Sequence, residues 1–241
     1  MSTIDVRHAG ERFHTKIDWL DSWHSFSFSE HYDPNNTHFG LLRVLNDDVV
    51  APGRGFGTHP HRDMEIVTWV LDGALEHRDS EGNSGVITRG VAQRMSAGTG
   101  IRHSEANASK TEPVHLLQMW VPPDALGDPP GYEQRDVDRE ITPDTLFPLA
   151  SGAEHVDSAI HINQADATLW IARLTSGAAV PIPSAPYVHV FVARGTANLE
   201  HTGELATGDA ARLTEPDDYR ITATADETEL VIWEMSGDLA T

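Results

Sequence analysis

Short apolar runs separated by glycine, proline and Asn/Asp clusters dominate the hydrophobic pattern of the chain. A run of about four to eight apolar residues between turn signals is typical of a strand buried in a sheet. Apolar stripes with the helical period of 3.6 residues are missing, so we expect few and short helices, near Ala125 or within residues 142–150. The pattern predicts an all-β protein, with main strands at residues 39–45, 66–71, 116–121, 169–174, 188–193 and 230–233.

The segment between Pro122 and Pro148 divides the chain into two halves. It is rich in proline, glycine and charge, so few sheet hydrogen bonds are expected there. Each half has about 100 residues and is predicted to form roughly eight short strands, enough to close a barrel without free sheet edges. We therefore predict domains at residues 1–122 and 149–241, joined by a linker at residues 123–148.

Composition narrows the classes of function. The chain has no cysteine, which excludes disulfides, iron–sulfur clusters, thiolate zinc sites and a cysteine nucleophile. Its net charge of −20 repels phosphate backbones and anionic lipid, so direct binding to nucleic acid or membrane is not expected. It lacks an apolar run of about 20 residues and an N-terminal signal segment, which predicts a cytoplasmic protein. Any metal must be held by nitrogen and oxygen.

Two pairs of residues at i,i+2 spacing carry the candidate chemistry. His59 and His61 follow a glycine-rich segment and precede a strongly β-forming run. His103 and Glu105 repeat that spacing after the glycine-rich turn at residues 98–100. Because residues two apart in a strand face the same side, both pairs are predicted to point into one barrel and to converge on one metal ion.

The four residues form a ligand set of three neutral imidazoles and one carboxylate. This set suits Fe(II), Mn, Ni, Cu(II) or Zn but not Cu(I). On an octahedral ion it leaves two positions free, where an organic oxygen donor and dioxygen can bind side by side. The sequence therefore predicts a catalytic metal site with the ligands His59, His61, His103 and Glu105.

The same segments resemble known families. Residues 53–65 are similar to the first cupin motif, and residues 103–107 resemble the end of the second. Four longer segments, which lie within about the first 120 residues, resemble the pirin family more closely. These segments are HFGLLRVLNDD at 38–48, GTHPHRDME at 57–65, LEHRDS at 75–80 and MSAGTGIRHSE at 95–105.

The resemblance implies a bicupin fold, which consists of two double-stranded β-helix (jelly-roll) barrels. It also implies iron in the N-terminal barrel and, as in several bacterial relatives, quercetin 2,3-dioxygenase activity. The general cupin template nominates Glu65 as the carboxylate ligand, whereas pirins use the glutamate two residues after the third histidine, here Glu105. Glu65 then becomes a candidate for hydrogen bonding to a ligand.

The second half resembles the degenerate C-terminal cupin of bicupin pirins only loosely. His189 stands where a metal histidine would, but Phe191 occupies the i+2 place and no H-x-E follows Gly208. We therefore expect no metal in this half. Aromatic residues are also concentrated between positions 19 and 39, and most are interpreted as packing at the end of a barrel. They are Trp19, Trp23, Phe26, Phe28, Tyr32 and Phe39.

The leading hypothesis for function is an Fe(II)-dependent dioxygenase that acts on a flavonol-like phenol and O2. Another divalent transition metal would also fit the ligand set. Glu105 is predicted to be catalytic, because it, or a partner beside it, can help take the proton from the enolic hydroxyl. Two alternatives stay open: an iron-containing regulatory pirin that binds a protein partner and senses redox state without turnover, and a sugar isomerase of the cupin type.

Overall fold

The regular secondary structure of the chain is almost entirely β, as the short apolar runs predict. The computed structural model describes residues 2–239 and contains, within that range, one 3-10 turn at Ala9–Glu11 and no α-helix. No helix in the described range is long and apolar enough to cross a membrane. The strands of the N-terminal half are β1 (Thr3–Arg7), β2 (Phe13–Ile17), β3 (Leu20–His24), β4 (Val44–Val50), β5 (Gly55–His61), β6 (Glu65–Asp72), β7 (Ala74–Asp79), β8 (Ser84–Thr88), β9 (Val91–Ser96), β10 (Ile101–Asn107), β11 (Val114–Val121) and β12 (Gly131–Asp136).

The C-terminal half supplies the remaining strands, several of which are very short. They are β13 (Phe147–Ser151), β14 (Ile160–His161), β15 (Ala167–Leu174), β16 (Ala179–Pro181), β17 (Tyr187–Arg194), β18 (Thr196–Leu199), β19 (Gly203–Ala206), β20 (Ala210–Thr214), β21 (Arg220–Ala223) and β22 (Thr228–Met235).

Four sheets form two barrels, each made from a seven-stranded and a four-stranded sheet. The first barrel combines the sheet β12-β9-β6-β11-β4-β3-β2 with the sheet β5-β10-β7-β8. The second combines β1-β20-β17-β22-β15-β13-β14 with β16-β21-β18-β19. Apart from the parallel pair β13 and β14, the ladders are antiparallel. The predicted all-β fold with two cupin barrels is confirmed.

Two details of the predicted organisation are wrong. The stretches proposed for short helices form none, since the residues around Ala125 make bends and turns and residues 147–151 form β13. The segment expected to form few sheet hydrogen bonds contains β12, which pairs with β9 along its whole length. Its ladder begins at Gly131, directly after Pro129 and Pro130, because proline is tolerated at the edge of a strand but not inside it.

The first strand crosses to the second barrel. Residues Thr3–Arg7 pair with β20 and so extend the C-terminal sheet rather than the N-terminal one. Covering β20 in this way protects an edge that would otherwise be open to another chain. The domain limits drawn from the sequence stay a proposal. Strand β1 lies within the proposed N-terminal domain in sequence but pairs with a strand of the C-terminal barrel.

The largest hydrophobic core lies between the barrels and includes residues from both seven-stranded sheets. Trp69 of β6 and Phe191 of β17 belong to this shared core and are almost completely buried. Because side chains alternate along a strand, Val70 and Val190 point the other way, into the interiors of their own barrels. An apolar run such as residues 66–71 therefore serves two cores, which explains why it lacks polar alternation.

The two barrel interiors differ in composition. Aliphatic side chains such as Leu213 and Ile221 fill the C-terminal barrel. The N-terminal barrel has two smaller apolar clusters, one around Val114 and one around Ile101. The same half of the chain contributes a set of buried polar residues, among them His24, Asn46, Asp48, His77, His103, Glu105 and Gln118.

A buried carboxylate ties the barrels together. Glu229 on β22 is 1% exposed and accepts a hydrogen bond of 2.6 Å from Trp69 Nε1 across the interface. Arg89 donates to its other oxygen at 3.1 Å, and Arg173 Nε lies 3.5 Å from that same oxygen. A carboxylate inside a protein requires such partners, because an unpaired buried charge is strongly destabilising.

We expect Glu229→Gln to lower the free energy of unfolding by about 1–3 kcal/mol, because it removes the carboxylate partner of Arg89 and one of the two carboxylates beside Arg173, the other being Asp138. Glu234→Gln is the matched control. Glu234 also accepts an indole hydrogen bond, from Trp170 at 2.8 Å, but it is partly exposed and has no arginine partner within residues 2–239. The control should change the free energy by about 0.5 kcal/mol or less. Urea unfolding measures both variants, and equal losses would contradict the role given to Glu229.

Candidate metal centre

Two antiparallel strands bring the predicted ligands together. In the register of β5 and β10, His59 lies opposite His103, with His61 two residues further along β5. The strands approach closely at the start of β5, where a Cβ on Gly55 would lie only 2.2 Å from the backbone oxygen of Glu105. The register shifts between His103 and Glu105, and a bulge of this kind re-aims the side chain that follows it.

The three imidazoles form a compact triangle. Ring centroids are 4.4 Å apart for His59 and His103, and 4.8 Å apart for each of the other two pairs. One nitrogen from each ring can be chosen so that all three lie within 4.8 Å of one another. The Nε2 atoms of His59 and His103 are 3.0 Å apart. Adjacent ligands of one octahedral ion have about this separation when each nitrogen lies at about 2.1 Å from the metal.

Hydrogen bonds behind two of the rings determine which nitrogen faces the centre. His59 Nδ1 lies 2.8 Å from the carbonyl oxygen of Gly57, so Nδ1 carries the proton and the Nε2 lone pair is free. His77 Nε2 donates to Asp79 at 3.2 Å, and His77 Nδ1 lies 3.4 Å from His103 Nδ1. Through this series of hydrogen bonds His103 can donate from Nδ1 to His77, and in that tautomer its Nε2 lone pair is free as well.

In this tautomer the two Nε2 lone pairs face one another, an arrangement that a cation between the rings stabilises. With both Nε2 atoms unprotonated, the 3.0 Å contact between His59 and His103 is repulsive unless a positive charge lies beside it. His61 gives a second indication, because its Nε2 is buried and has no hydrogen-bond partner within residues 2–239. Three such nitrogens are the donor set that a divalent transition metal binds. The residues present therefore fit a bound metal ion.

Glu105 stands at one side of this triangle. A carboxylate oxygen of Glu105 lies within 4.8 Å of a ring nitrogen of His103 and one of His77. Glu105 does not form such a group with all three histidines of the triangle. It is 3% exposed, and Gln118 Nε2 donates a hydrogen bond of 2.8 Å to its Oε2. Trp120 Nε1 donates to Gln118 Oε1 at 3.1 Å, which fixes the orientation of the amide. The structure thus collects three predicted ligands directly, and the role of Glu105 as the fourth stays a prediction.

Burial sets the protonation states of the site. It lowers the pKa of His61 to about 4 and that of His103 to about 2, and the charges of neighbouring imidazoles act in the same direction. Both rings are therefore neutral at physiological pH. Burial also raises the pKa of Glu105 to about 7; the hydrogen bond from Gln118 opposes this shift, and the charge of Asp48 adds to it.

A cavity of about 310 Å³ opens onto the site. Its apolar walls include Phe28, Phe56 and Trp120, and its polar side includes Asn46 and Asp48. The predicted ligands His59, His61 and Glu105 also line the cavity. His103, the fourth, is 1% exposed and does not. This volume and this mixture of aromatic walls with a few polar groups are typical of a small-molecule site.

Asp48 is a second buried carboxyl in the same cavity. It is 4% exposed, and burial raises its pKa to about 7, while a hydrogen bond from Ser22 opposes the shift. The charge of Asp48 contributes to the raised pKa of Glu105, so the two carboxyls interact. The cavity therefore contains two interacting carboxyls whose pKa values are both raised to about 7 in the metal-free protein.

Sequence reasoning assigned no role to His77, Asp79, Gln118 or Asp48. A signal existed for the first two, because the alternation in residues 75–79 places them on one face of a strand, at the same spacing as the predicted ligands. Gln118 lies within an apolar run and Asp48 within a series of acidic and amide residues, so neither stands out from the sequence alone.

Two other predicted candidates lie outside the metal centre. Glu65 accepts hydrogen bonds from Ser96 Oγ at 2.8 Å and from the backbone nitrogen of Asn163 at 3.1 Å. The hypothesis that it supports a metal ligand is wrong, because its position in β6 gives it the orientation of Trp69, toward the other barrel. His189 likewise shares the interface side of β17 with Phe191 and does not face the interior of the second barrel.

The aromatic segment near residue 30 is divided between packing and the cavity. Phe26 is 1% exposed and belongs to the core between the barrels, as expected for a packing residue. Phe28 lines the cavity beside the metal centre. Tyr32 is 74% exposed and contributes to neither.

Comparison with known proteins decides the family. The Pirin profile matches residues 6–121, and a second profile, described as "Quercetinase C-terminal cupin domain", matches residues 149–235. A protein of Mycobacterium bovis named "Putative quercetin 2,3-dioxygenase Mb0187c" is 55% identical over 243 residues, which cover 100% of this chain and 99% of that protein. The chain belongs to the pirin family. An Escherichia coli K12 protein named "Quercetin 2,3-dioxygenase" is 58% identical to this pirin over 135 residues, 56% of this chain and 58% of the other.

Solved pirin structures share the fold over the whole length. The crystal structure of YhhW from Escherichia coli matches with a TM-score of 0.89 at 40% identity and covers 98% of each chain. The structure of bacterial pirin YhhW in complex with nickel(II) matches with a TM-score of 0.87 at 38% identity, covering 98% of this chain and 100% of that chain. The resemblance to pirins drawn from the sequence is confirmed.

We expect Glu105→Gln to lower the affinity for a divalent metal at least about tenfold, because the amide is a weaker ligand than the carboxylate. Glu65→Gln is the matched control and should leave the affinity unchanged, since Glu65 bonds to Ser96 and Asn163. Calorimetric titration of metal-free protein with nickel(II) measures both. A similar loss in the two variants would contradict the ligand assignment.

Metal affinity should decrease as the pH falls through about 7. The pKa of Glu105 in the folded, metal-free protein is raised to about 7, so protons compete with the metal for its carboxylate below that pH. His61 and His103 stay neutral to much lower pH and do not cause this fall. The sequence alone places the loss near pH 6, from the ordinary pKa of histidine.

Nickel(II) titrations between about pH 5.5 and 8 test this expectation. Glu105→Gln should weaken binding and also flatten its dependence on pH in that range. A wild-type midpoint near pH 6 that survives in the variant would show that a histidine, not Glu105, takes up the proton.

Proposed function

We propose that this pirin is a metal-dependent dioxygenase that cleaves a flavonol-type phenol with O2 and uses Fe(II). The single observation that carries the proposal is the triangle of His59, His61 and His103 beside a cavity with aromatic walls. The names of its relatives support the same activity. The nickel(II) complex of YhhW supports a divalent transition metal at this site, and other such metals fit the same donors.

The cavity suits a flat, hydroxylated ring system. Phe56 and Trp120 offer ring faces and edges against which an aromatic substrate can stack. Ser22, Asn46 and Asp48, which line the same cavity, offer hydrogen bonds to hydroxyl groups. The volume of about 310 Å³ lies at the lower end of the range for small-molecule sites, so one such ligand fills it.

A bound Fe(II) would supply Lewis acidity toward the substrate and redox chemistry toward O2. Glu105 would accept the proton of the enolic hydroxyl, since its carboxylate lines the cavity beside the histidines. Gln118 donates to Oε2 of this carboxylate at 2.8 Å and holds its orientation. Asp48, protonated at its own raised pKa, would donate a hydrogen bond to a second hydroxyl and orient the ring.

Iron-loaded protein in air should consume quercetin, seen as loss of its visible absorbance. Glu105→Gln, assayed at equal iron content, should lower kcat by about 10²-fold or more, because the proton acceptor is missing. Glu65→Gln should keep the wild-type rate. Unchanged absorbance with fully iron-loaded protein would contradict the proposal. It would favour the alternative of a regulatory pirin that binds a protein partner without turnover.

A further inference from the structure

A second, much smaller cavity lies between the barrels. It has a volume of about 30 Å³, and none of its lining residues belongs to the metal centre. Its walls come from the first strand, the 3-10 turn, the segment after β3 and strands β17 and β20. The polar side chains buried in these walls are Ser25, His189 and Arg212, which are 8%, 0% and 6% exposed.

Polar atoms around this cavity lack partners. Within residues 2–239, Ser25 Oγ, both ring nitrogens of His189 and Arg212 Nε are buried without a hydrogen bond. Folded proteins rarely leave such groups unpaired, so a missing partner is expected in the space between them. The guanidinium Nε, the hydroxyl and one imidazole nitrogen can each donate a proton. Three unpaired donors on residues that line one cavity call for an acceptor inside it.

Arg212 is also a buried cation without a carboxylate partner in the described part of the chain. Its Nη2 donates to the backbone oxygen of Ser25 at 3.0 Å and to Asn36 Oδ1 at 2.8 Å, and its Cζ lies 4.5 Å from the ring centroid of Phe26. Asp5 lies opposite Arg212 in the β1–β20 ladder, but its carboxylate accepts from Arg7 at 2.8 Å. Neutral acceptors and a ring face do not neutralise a buried charge.

We propose that this cavity binds a small inorganic anion of halide size, held by Arg212, Ser25 and His189. A volume of about 30 Å³ holds about two water-sized probes, which admits a monatomic anion and excludes phosphate or sulfate. Arg12 lines the same cavity and adds positive potential, although Asp47 pairs with it at 3.0 Å. Glu11, the acidic residue of the lining, is exposed, so water weakens its repulsion.

The proposed anion would stabilise one wall of the metal cavity. The two groups that accept from Arg212 belong to Ser25 and Asn36, and the chain between them carries Phe28, which lines the larger cavity. Ser27 closes this segment by donating its backbone nitrogen to the oxygen of Asn36 at 2.7 Å. An anion that neutralises the charge of Arg212 therefore stabilises the contact between residues 25–36 and β20 of the C-terminal sheet.

Thermal unfolding in sodium chloride and in sodium gluconate, at equal ionic strength and equal metal content, tests the proposal. Wild-type Tm should rise by about 3–5 °C for each tenfold increase of chloride above its Kd, and gluconate should have no such effect. Arg212→Gln should abolish the chloride response. Arg220→Gln is the control, since Arg220 is an exposed arginine of the same barrel, and it should retain the response.

Diffraction from a wild-type crystal soaked in sodium bromide gives an answer that does not depend on variant folding. An anomalous peak between Arg212, Ser25 and His189 supports the proposal, and Ser25→Ala should weaken that peak. Water density without bromide in the cavity would overturn it. An equal response of Tm to chloride in wild type and Arg212→Gln would overturn it as well.

Discussion

Repulsion between unprotonated imidazole nitrogens, held together inside a barrel, is the constraint on which the candidate site depends. The ladder of β5 and β10 fixes the distance between His59 and His103, and hydrogen bonds from behind direct their lone pairs inward. Burial lowers the pKa of His103, so the ring cannot relieve the repulsion by taking up a proton near neutral pH. A divalent cation bound between the rings would relieve it, which is why the three histidines fit a metal ion.

The two barrels differ in the composition of their interiors, and this difference follows from the candidate site. The N-terminal half contributes buried polar residues to a site that weakens hydrophobic packing, whereas the C-terminal barrel is filled with aliphatic side chains. The shared core around Trp69 and the buried carboxylate Glu229 join the C-terminal barrel to the N-terminal barrel, which contains the candidate site. Arg212 extends the same support to the segment that carries Phe28, a wall of the metal cavity.

The sequence predicts what depends on local periodicity and spacing. Short apolar runs predict the all-β fold, and the two i,i+2 pairs predict the histidine triangle, because strand alternation is a local property. The orientation of Glu65 could not be read in this way, since its carboxylate lies among ligand-type residues in sequence but faces Asn163 of the other barrel in space. The pairing of β1 with β20 and the hydrogen bond from Gln118 to Glu105 are contacts between distant segments that no local pattern records.

A crystal structure of the iron-loaded protein, with data collected at the iron absorption edge, tests the central claim most directly. The account predicts one ion bound by the Nε2 atoms of His59, His61 and His103 and by Glu105, at about 2.0–2.2 Å, with free positions that face the cavity. An ion held by other residues, or one enclosed by protein ligands on every side, would contradict it.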